Sequence, residues 1–167
     1  PGARYNLDDF FFTKQFADLS VNYVFYNGKT SAFSVELGGR LTKLPNQKLL
    51  GTRGYVSLYY SASQNKLKFS WRSRFFVEEN VANDKKKYAR NKITLQYVMS
   101  DFLRPFIDGE YMSGLDENNL DKTRFSAGNA FKFSKKTKIK LFYRIQESIS
   151  VEQDTKRIFG FYLTQKL

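Results

Sequence analysis

The chain has 167 residues, a formal net charge of +12 at pH 7 and an aromatic fraction of 17%, so it can form one domain with a sizeable core but not two. It contains no cysteine and no histidine, which excludes disulfide frameworks, ordinary zinc sites and the Ser-His-Asp and Cys-His catalytic arrangements. No apolar run reaches the roughly 18 residues that a transmembrane helix needs.

Apolar and polar residues alternate with a period of two along nearly the whole chain, whereas helical periodicity is nowhere competitive. This period is typical of β-strands, because successive side chains of a strand point to opposite faces. The sequence therefore predicts an all-β chain. In chain order, the alternating segments are LSVNYVFY, FSVELGGRL, YVSLYYSA, KLKFSWRSRFF, ARNKITLQYVM, LRPFIDGEY, TRFSAGNAFKF, KIKLFYRIQ and IFGFYLTQKL.

The segment KLKFSWRSRFF, residues 66–76, shows the alternation clearly. Lysine, serine and arginine occupy one parity, and Leu67, Phe69 and Trp71 occupy the other. In a soluble barrel the charged parity faces water and the aromatic parity faces a core. In a membrane barrel the aromatic side chains meet lipid and the charged ones line the lumen. This segment alone fits both arrangements.

Short and long connections alternate between the predicted strands. The short ones are hairpin turns at NGK, SQNK, SDF and SKKT, and longer polar links lie between them. Outer-membrane barrels have this asymmetry, with short periplasmic turns and longer loops outside. The predicted strands, of about 11 to 13 residues, are also long enough to cross the hydrocarbon region, which takes roughly 9–11.

Tyrosine and phenylalanine near the strand ends fit the aromatic girdles of membrane interfaces. We therefore favour an antiparallel up-and-down transmembrane β-barrel, and the alternative is a soluble, lipocalin-like barrel. A soluble barrel would not need the asymmetry of the connections.

Several segments together resemble a known family. KLKFSWRSRFF, YARNKITLQYV, FLRPFIDGEYM, KTRFSAGNAFKFSKKTKIKLFYRIQ and RIFGFYLTQKL are similar to segments of uncharacterised outer-membrane barrels that are widespread in Bacteroidota and classed as a domain of unknown function. The similarity covers residues 21–167. It implies a location in the outer membrane of a Gram-negative bacterium and a cleaved secretion signal. It brings no established activity, so no catalytic residue, metal ligand or cofactor is transferred, and we do not expect an enzyme.

Strand direction bears on the number of strands. If the C-terminus is periplasmic and the long links are outside, the strand at Leu19 starts outside, so one further strand must precede it. The only candidate is RYNLDDFFFTK, Arg4 to Lys14, although two adjacent aspartates interrupt its alternation. We predict ten strands, with eight or twelve as alternatives, in a single domain of residues 1–167 whose residues 1–14 are an uncertain first strand or N-terminal segment.

Assigning the polar parity to the lumen predicts a narrow, basic interior. A ten-stranded lumen is only slightly wider than one that side chains fill completely. The predicted lumen-lining charges are Glu36, Arg40, Lys68, Arg72, Arg74, Arg90, Arg104, Asp108, Glu110, Arg124 and Arg144. The predicted lipid-facing residues are Leu67, Phe69, Trp71, Leu95, Ile107, Leu141 and Phe161.

Two functions fit such an interior. In the first, ion pairs plug the barrel, because inward charges must be paired or hydrated, and the protein is a structural or accessory subunit of an envelope assembly. In the second, the excess of cations makes a narrow pore that favours small anions. The plugged barrel predicts that four arginines pair with the inward carboxylates and with lumenal tyrosines. These arginines are Arg72, Arg74, Arg104 and Arg144, and the carboxylates are Glu36, Asp108 and Glu110.

Asp108 and Glu110 form the only pair of inward carboxylates on one strand. Such a pair could act as a general acid and base or bind a hard cation. Serving as counter-ions for Arg104 and Arg124 is the simpler interpretation, and we favour it.

The basic excess also raises the question of partners outside the barrel. The loop run Lys85, Lys86 and Lys87 could contact lipopolysaccharide phosphates at the outer rim as point charges, or could be a solvated loop. Nucleic acid is a weak candidate, because cations and stacking aromatics fall on opposite faces of the same strands. The expected partners are therefore outer-membrane lipids, including lipopolysaccharide, and other envelope proteins.

Overall fold

In the computed structural model of the protein, residues 2–6, 11–43, 50–79, 85–116, 122–134, 137–149 and 155–165 are described. Within these ranges ten strands form one sheet in which sequence neighbours are spatial neighbours. Every adjacent pair is antiparallel, so the prediction of an all-β, up-and-down antiparallel sheet is confirmed. The strands are β1 (Gly2–Asn6), β2 (Phe11–Asn27), β3 (Ser31–Lys43), β4 (Leu50–Gln64), β5 (Leu67–Glu79), β6 (Lys85–Tyr97), β7 (Leu103–Gly114), β8 (Lys122–Lys132), β9 (Thr137–Ser148) and β10 (Thr155–Gln165).

The predicted hairpin turns all lie at one end of the sheet, which we call the short-turn end, and the opposite end is the long-link end. The two ends differ less than predicted, because the strand bounds leave two to five residues in each connection at the short-turn end and four to seven at the long-link end. The turn between β4 and β5 is formed by Asn65 and Lys66 alone, and Asn65 takes a positive φ of 53°, as a two-residue hairpin requires. In the β6–β7 turn, Ser100 accepts a hydrogen bond from the backbone N–H of Leu103 at 2.9 Å. The central residues of the long links and of the SKKT turn lie outside the described ranges.

The two faces of the sheet differ sharply in polarity. Ser57 and Ser126 are almost completely buried on one face, together with Asp108 and Glu110. The opposite face exposes large apolar side chains, and Leu19 is 82% accessible. This distribution is the reverse of a soluble protein, in which buried ionisable groups are rare. We call the polar side the inner face and the apolar side the outer face.

The sheet curls around its inner face. A cavity of about 550 Å³ is lined jointly by β5, β6 and β9, although three strands separate β5 from β9 in the sheet order. Among the described residues no pairing joins β10 to β1 or β2, so the sheet is open at this seam. None of the described residues belongs to a helix long and apolar enough to cross a membrane.

Aromatic rings and glycines alternate between neighbouring strands on the inner face. One row runs from Phe106 on β7 through Gly128 and Phe142 to Gly160 on β10. A Cβ atom added at Gly160 would overlap the ring of Phe142, so the glycine leaves the space in which this ring lies. The ring of Phe142 also stacks on Tyr162 at 5.0 Å between centroids. Large rings covering glycines on the adjacent strand stabilise curved sheets.

The N-terminal segment differs from its prediction. The expected strand from Arg4 to Lys14 is not one strand: its first residues belong to β1, and its last residues, from Phe11, belong to β2. β1 has five residues, which is fewer than the roughly 9–11 that cross a membrane. The prediction was wrong because the two aspartates that interrupt the alternation fall between the two strands. The other nine strands have 11 to 17 residues.

Candidate functional site

Glu36 is the acceptor of a buried cluster on β3, β4 and β5. Arg74 donates from Nη2 to its Oε2 at 2.8 Å, and the Tyr59 hydroxyl donates to the same oxygen at 2.5 Å. Arg74 also donates from Nε to Ser57 Oγ at 2.7 Å and lies 3.9 Å from the ring centroid of Tyr55. These contacts form because Glu36, Ser57 and Arg74 are direct cross-strand partners in the ladder.

Glu110 is the acceptor of a second cluster on β6, β7, β8 and β9. Its side chain is 4% accessible and forms ion pairs with Arg90 and Arg124. The pair with Arg124 joins Nη1 to Oε1 at 2.8 Å, and Arg124 also donates from Nε to Gln146 Oε1 at 2.7 Å. One carboxylate therefore holds two guanidinium groups, and both clusters together form what we call the arginine network: Glu36, Glu110, Arg74, Arg90 and Arg124.

Asp108 lies next to the arginine network and pairs with a lysine. Lys92 donates from Nζ to Asp108 Oδ2 at 2.8 Å, and the Asp108 side chain is 6% accessible. Farther along the sheet, Arg144 on β9 donates from Nε to Ser126 Oγ on β8 at 2.9 Å. Asp108 and Glu110 are therefore held by cations rather than by each other.

Two further ion pairs lie toward the long-link end. Arg40 donates twice to Asp18, with both distances 2.7 Å, and this fork geometry is the strong form of an arginine–carboxylate contact. Arg53 pairs with Glu78 at 2.8 Å and lies over the ring of Phe76.

The predicted partners of four arginines, inward carboxylates and lumenal tyrosines, are found for Arg74 and Arg72 and are corrected for Arg144. Of Arg72, Arg74, Arg104 and Arg144, Arg74 is the one that pairs with a carboxylate among the described residues. Arg144 bonds to a serine, Arg72 interacts with the Tyr59 hydroxyl, and no described partner satisfies Arg104 Nε. Glu110 pairs with Arg124, which lies directly opposite it on β8, and with Arg90, which lies diagonally from it on β6. Lys92, which lies directly opposite Glu110, pairs diagonally with Asp108 instead.

A basic cavity occupies the inner face toward the short-turn end. Its volume is about 550 Å³, and within the described ranges no acidic residue lines it. Its hydroxyl-bearing lining includes Ser70 and Thr94, which are cross-strand partners. We call it the lysine cavity, and its cations are Lys29, Lys68, Arg72, Lys92, Lys138 and Lys140.

The predicted lipopolysaccharide-contact residues begin a strand rather than forming a loop. Lys85, Lys86 and Lys87 are the first residues of β6 and pair with β5, so their assignment to a loop was wrong. Next to them, Tyr88 stacks on its cross-strand partner Phe76, with ring centroids 4.9 Å apart. All three lysines are exposed.

The predicted lipid-facing residues lie on the outer face. Leu67, Ile107, Leu141, Phe161 and Leu95 are exposed. The two remaining members, Phe69 and Trp71, are half-buried.

Sequence analysis missed several inner-face residues. Lys138 has the same parity as Lys140 on β9, and this parity would have identified it. Phe76, Phe106 and Phe142 are buried on the inner face, although their parity predicted polar side chains. Each of these phenylalanines stands next to another large apolar or aromatic residue along the chain, at Phe75, Ile107 and either side of Phe142, and such doublets were the available indication.

The inner face pairs its buried carboxylates with cations. Each buried carboxylate is neutralised by a cation at hydrogen-bond distance. In the part of the chain that the structure describes, no group of three or more acidic side chains could hold a metal ion. The chemistry that this face supports is ion pairing in the arginine network and anion attraction in the lysine cavity.

Comparison with protein families and with curated proteins gives one result. The model of a family described as protein of unknown function (DUF2490) matches residues 3–156, which is most of the chain. No curated protein matches the sequence.

Proposed function

The chain belongs to the DUF2490 family, and we propose that it is a bacterial outer-membrane β-barrel with a side-chain-filled interior that serves as a structural or accessory subunit of the cell envelope. The observation that carries this proposal is the reversed polarity of the sheet. Glu110 is buried with a side-chain accessibility of 4%, while Leu141 on the neighbouring outer face is 50% accessible. An apolar outer face against a polar, ion-paired interior suits lipid outside and not water.

Strand direction supports closure of the sheet into a ten-stranded barrel. β10 runs from the long-link end to the short-turn end, as β2 does, so a pairing of β10 with β2 would be parallel. β1 runs the other way, antiparallel to β2, and would continue the antiparallel order against β10. Membrane strands need such closure because an open edge leaves backbone groups unpaired in hydrocarbon. A disulfide between cysteines placed on β1 and β10 would establish this seam.

The arginine network and the inner-face rings support the proposal of a filled interior. Tyr55, Phe76, Phe106 and Phe142 are all less than 9% accessible on the inner face. Arg74, Lys140 and the other cations that lie over these rings add cation–π contacts, which are worth about 0.5–2 kcal/mol each. A packed cross-section of this kind leaves no wide aqueous path.

In the proposed orientation the long-link end faces outside and the short-turn end faces the periplasm. The exposed lysines at the start of β6 then lie at the outer rim, where lipopolysaccharide phosphates are found. A variant with glutamine at Lys85, Lys86 and Lys87 should retain less lipopolysaccharide on purification than the parent protein. Other envelope proteins would dock on the outer face or the links.

Planar-bilayer conductance of the refolded full chain tests the proposed function. A filled barrel should insert, as seen by protease protection of its strands in vesicles, and should give no steady current. Insertion with steady, ohmic, anion-selective current would contradict the filled interior. Failure of the folded protein to associate with any vesicle would contradict the membrane barrel itself.

The second candidate is a narrow pore that favours small anions. The observation in its favour is the lysine cavity, whose lining contains six cations and, among the described residues, no carboxylate. In a pore, cationic side chains select anions. Under this alternative Glu110→Ala should leave the folded protein stable and raise anion selectivity, because it removes a negative group from a basic channel.

A further inference from the structure

We propose that the lysine cavity is a binding site for a small, multiply charged phosphate compound that enters from the short-turn end. A filled barrel does not need such a site, and the inference goes beyond the proposed function. It also does not depend on closure of the sheet, because neither β1 nor β10, the strands at the open seam, lines the cavity.

The cavity gathers cations from strands that are distant in the sheet. Lys68 comes from β5, Lys92 from β6, and Lys138 and Lys140 from β9. The charges act on one another across the cavity, since Lys138 interacts electrostatically with Lys68 and Arg104, and Lys140 interacts with Lys92. Several ammonium groups therefore converge on one space.

Most of these cations have no ion pair with a carboxylate among the described residues. Among the described residues Lys92 is the cavity cation that has an ion pair with a carboxylate. Arg72 Nε is buried with no described hydrogen-bond partner. Like charges also face each other directly across strands, at Arg72 with Lys92 and at Lys132 with Lys138. Such pairs destabilise a sheet, and a bound anion would relieve the repulsion.

The lining chemistry matches phosphate. Lysine ammonium groups bind phosphate oxygens as point charges. Hydroxyl groups can rotate to donate hydrogen bonds to the same oxygens. The cavity provides both, with Ser70 and Thr94 beside the lysines. Its volume of about 550 Å³ falls in the range of roughly 300–1,000 Å³ that holds small organic ligands, so a phosphorylated sugar or a pyrophosphate compound fits.

The phosphate belongs to a soluble compound rather than to a lipid headgroup. The cavity cations lie on the inner face, whereas the outer face carries the apolar side chains that would meet lipid tails. An acyl chain would have to cross the sheet to bring its headgroup into this space.

The test is isothermal titration calorimetry of the refolded full chain in zwitterionic micelles with inorganic pyrophosphate. We expect saturable binding that is roughly tenfold weaker in a Lys138→Gln/Lys140→Gln variant, because each lost charge-assisted contact contributes to affinity. The matched control is Lys43→Gln/Arg157→Gln, which removes the same net charge from exposed residues near the long-link end and should bind within about twofold of the parent protein. A Lys68→Gln variant should also weaken binding. Because the Lys68 side chain is exposed, this variant separates loss of binding from a folding defect in the β9 variant.

Three results would overturn the assignment. The first is no saturable binding of pyrophosphate by the parent protein, and the second is an equal loss in the β9 variant and the long-link control. The third is binding only to vesicles that contain phosphatidic acid and not to soluble pyrophosphate, which would identify a lipid headgroup as the ligand.

Discussion

The two regions of the inner face, the arginine network and the lysine cavity, differ in how their charged side chains are paired. In the arginine network, Glu36 accepts from Arg74 and the Tyr59 hydroxyl, and Glu110 pairs with Arg90 and Arg124. In the lysine cavity, cations gather around open space, and most of them have no carboxylate among the described residues. In one region every cation has a carboxylate partner within the chain, and in the other most cations have none among the described residues.

The difference follows the chemistry of the two cations. A guanidinium group offers five N–H donors in a planar fork, so Arg124 reaches Glu110 and Gln146 at once. A lysine ammonium is a compact and strongly hydrated point charge, which can exchange a bound water for an anion. Arginine therefore dominates where the contacts are permanent, and lysine dominates where space remains for water or a ligand.

The largest effect should come from removing the carboxylate at the centre of the arginine network. Glu110→Gln leaves Arg90 and Arg124 without their shared counter-ion in a buried position, so we expect a loss of roughly 3–5 kcal/mol in the free energy of unfolding. The matched control is Glu79→Gln, because Glu79 has a rim pair with Lys85 at 4.0 Å and a 35% accessible side chain. Exposed pairs of this kind contribute about 0–1 kcal/mol. Urea unfolding in lipid vesicles measures both variants, and equal losses would contradict a special role for the network.

Removing one cation from each region should have smaller effects on the free energy of unfolding, with a loss in the arginine network and no loss in the lysine cavity. Arg124→Gln breaks two contacts to buried acceptors and should destabilise the protein by about 3 kcal/mol. Lys138→Gln removes a lysine that faces Lys132 across the ladder, so the stability should stay constant or rise by up to about 1 kcal/mol. If Lys138→Gln destabilised the protein as much as Arg124→Gln, the cavity cations would have structural partners, and the contrast between the regions would be wrong.

The sequence predicted the sheet because strand alternation and turn residues are local. The segment from Lys66 to Phe76 showed which side chains share a face, and β5 spans Leu67–Glu79 in the structure. The turns at Gly28, Asn65 and Ser100 could be predicted as well, since each type of hairpin turn requires particular residues. The start of the chain was not predicted correctly, because β1 forms through pairing with β2 rather than through an alternation of polar and apolar residues of its own.

The ion-pair partners on the inner face could not be predicted from the alternation within single strands. Parity places Arg90, Arg104 and Arg124 on one face, but the ladder register decides which of them reaches Glu110. Arg104 lies six residues from Glu110 along β7, a distance of about 20 Å in an extended strand. Phe106 and Phe142 lie on the inner face beside a glycine of a neighbouring strand. They were missed because the alternation within one strand does not show which residues of the next strand lie beside it.

The central claim, that the apolar outer face meets lipid while the inner face does not, is tested most directly by spin labels on adjacent residues of β6. A label at Leu95 should be accessible to membrane-dissolved oxygen and shielded from a water-soluble nickel reagent in vesicles. A label at Thr94, which lines the lysine cavity, should show the reverse order of accessibility. Equal exposure of both labels to the nickel reagent, or burial of Leu95 away from both reagents, would contradict the membrane barrel.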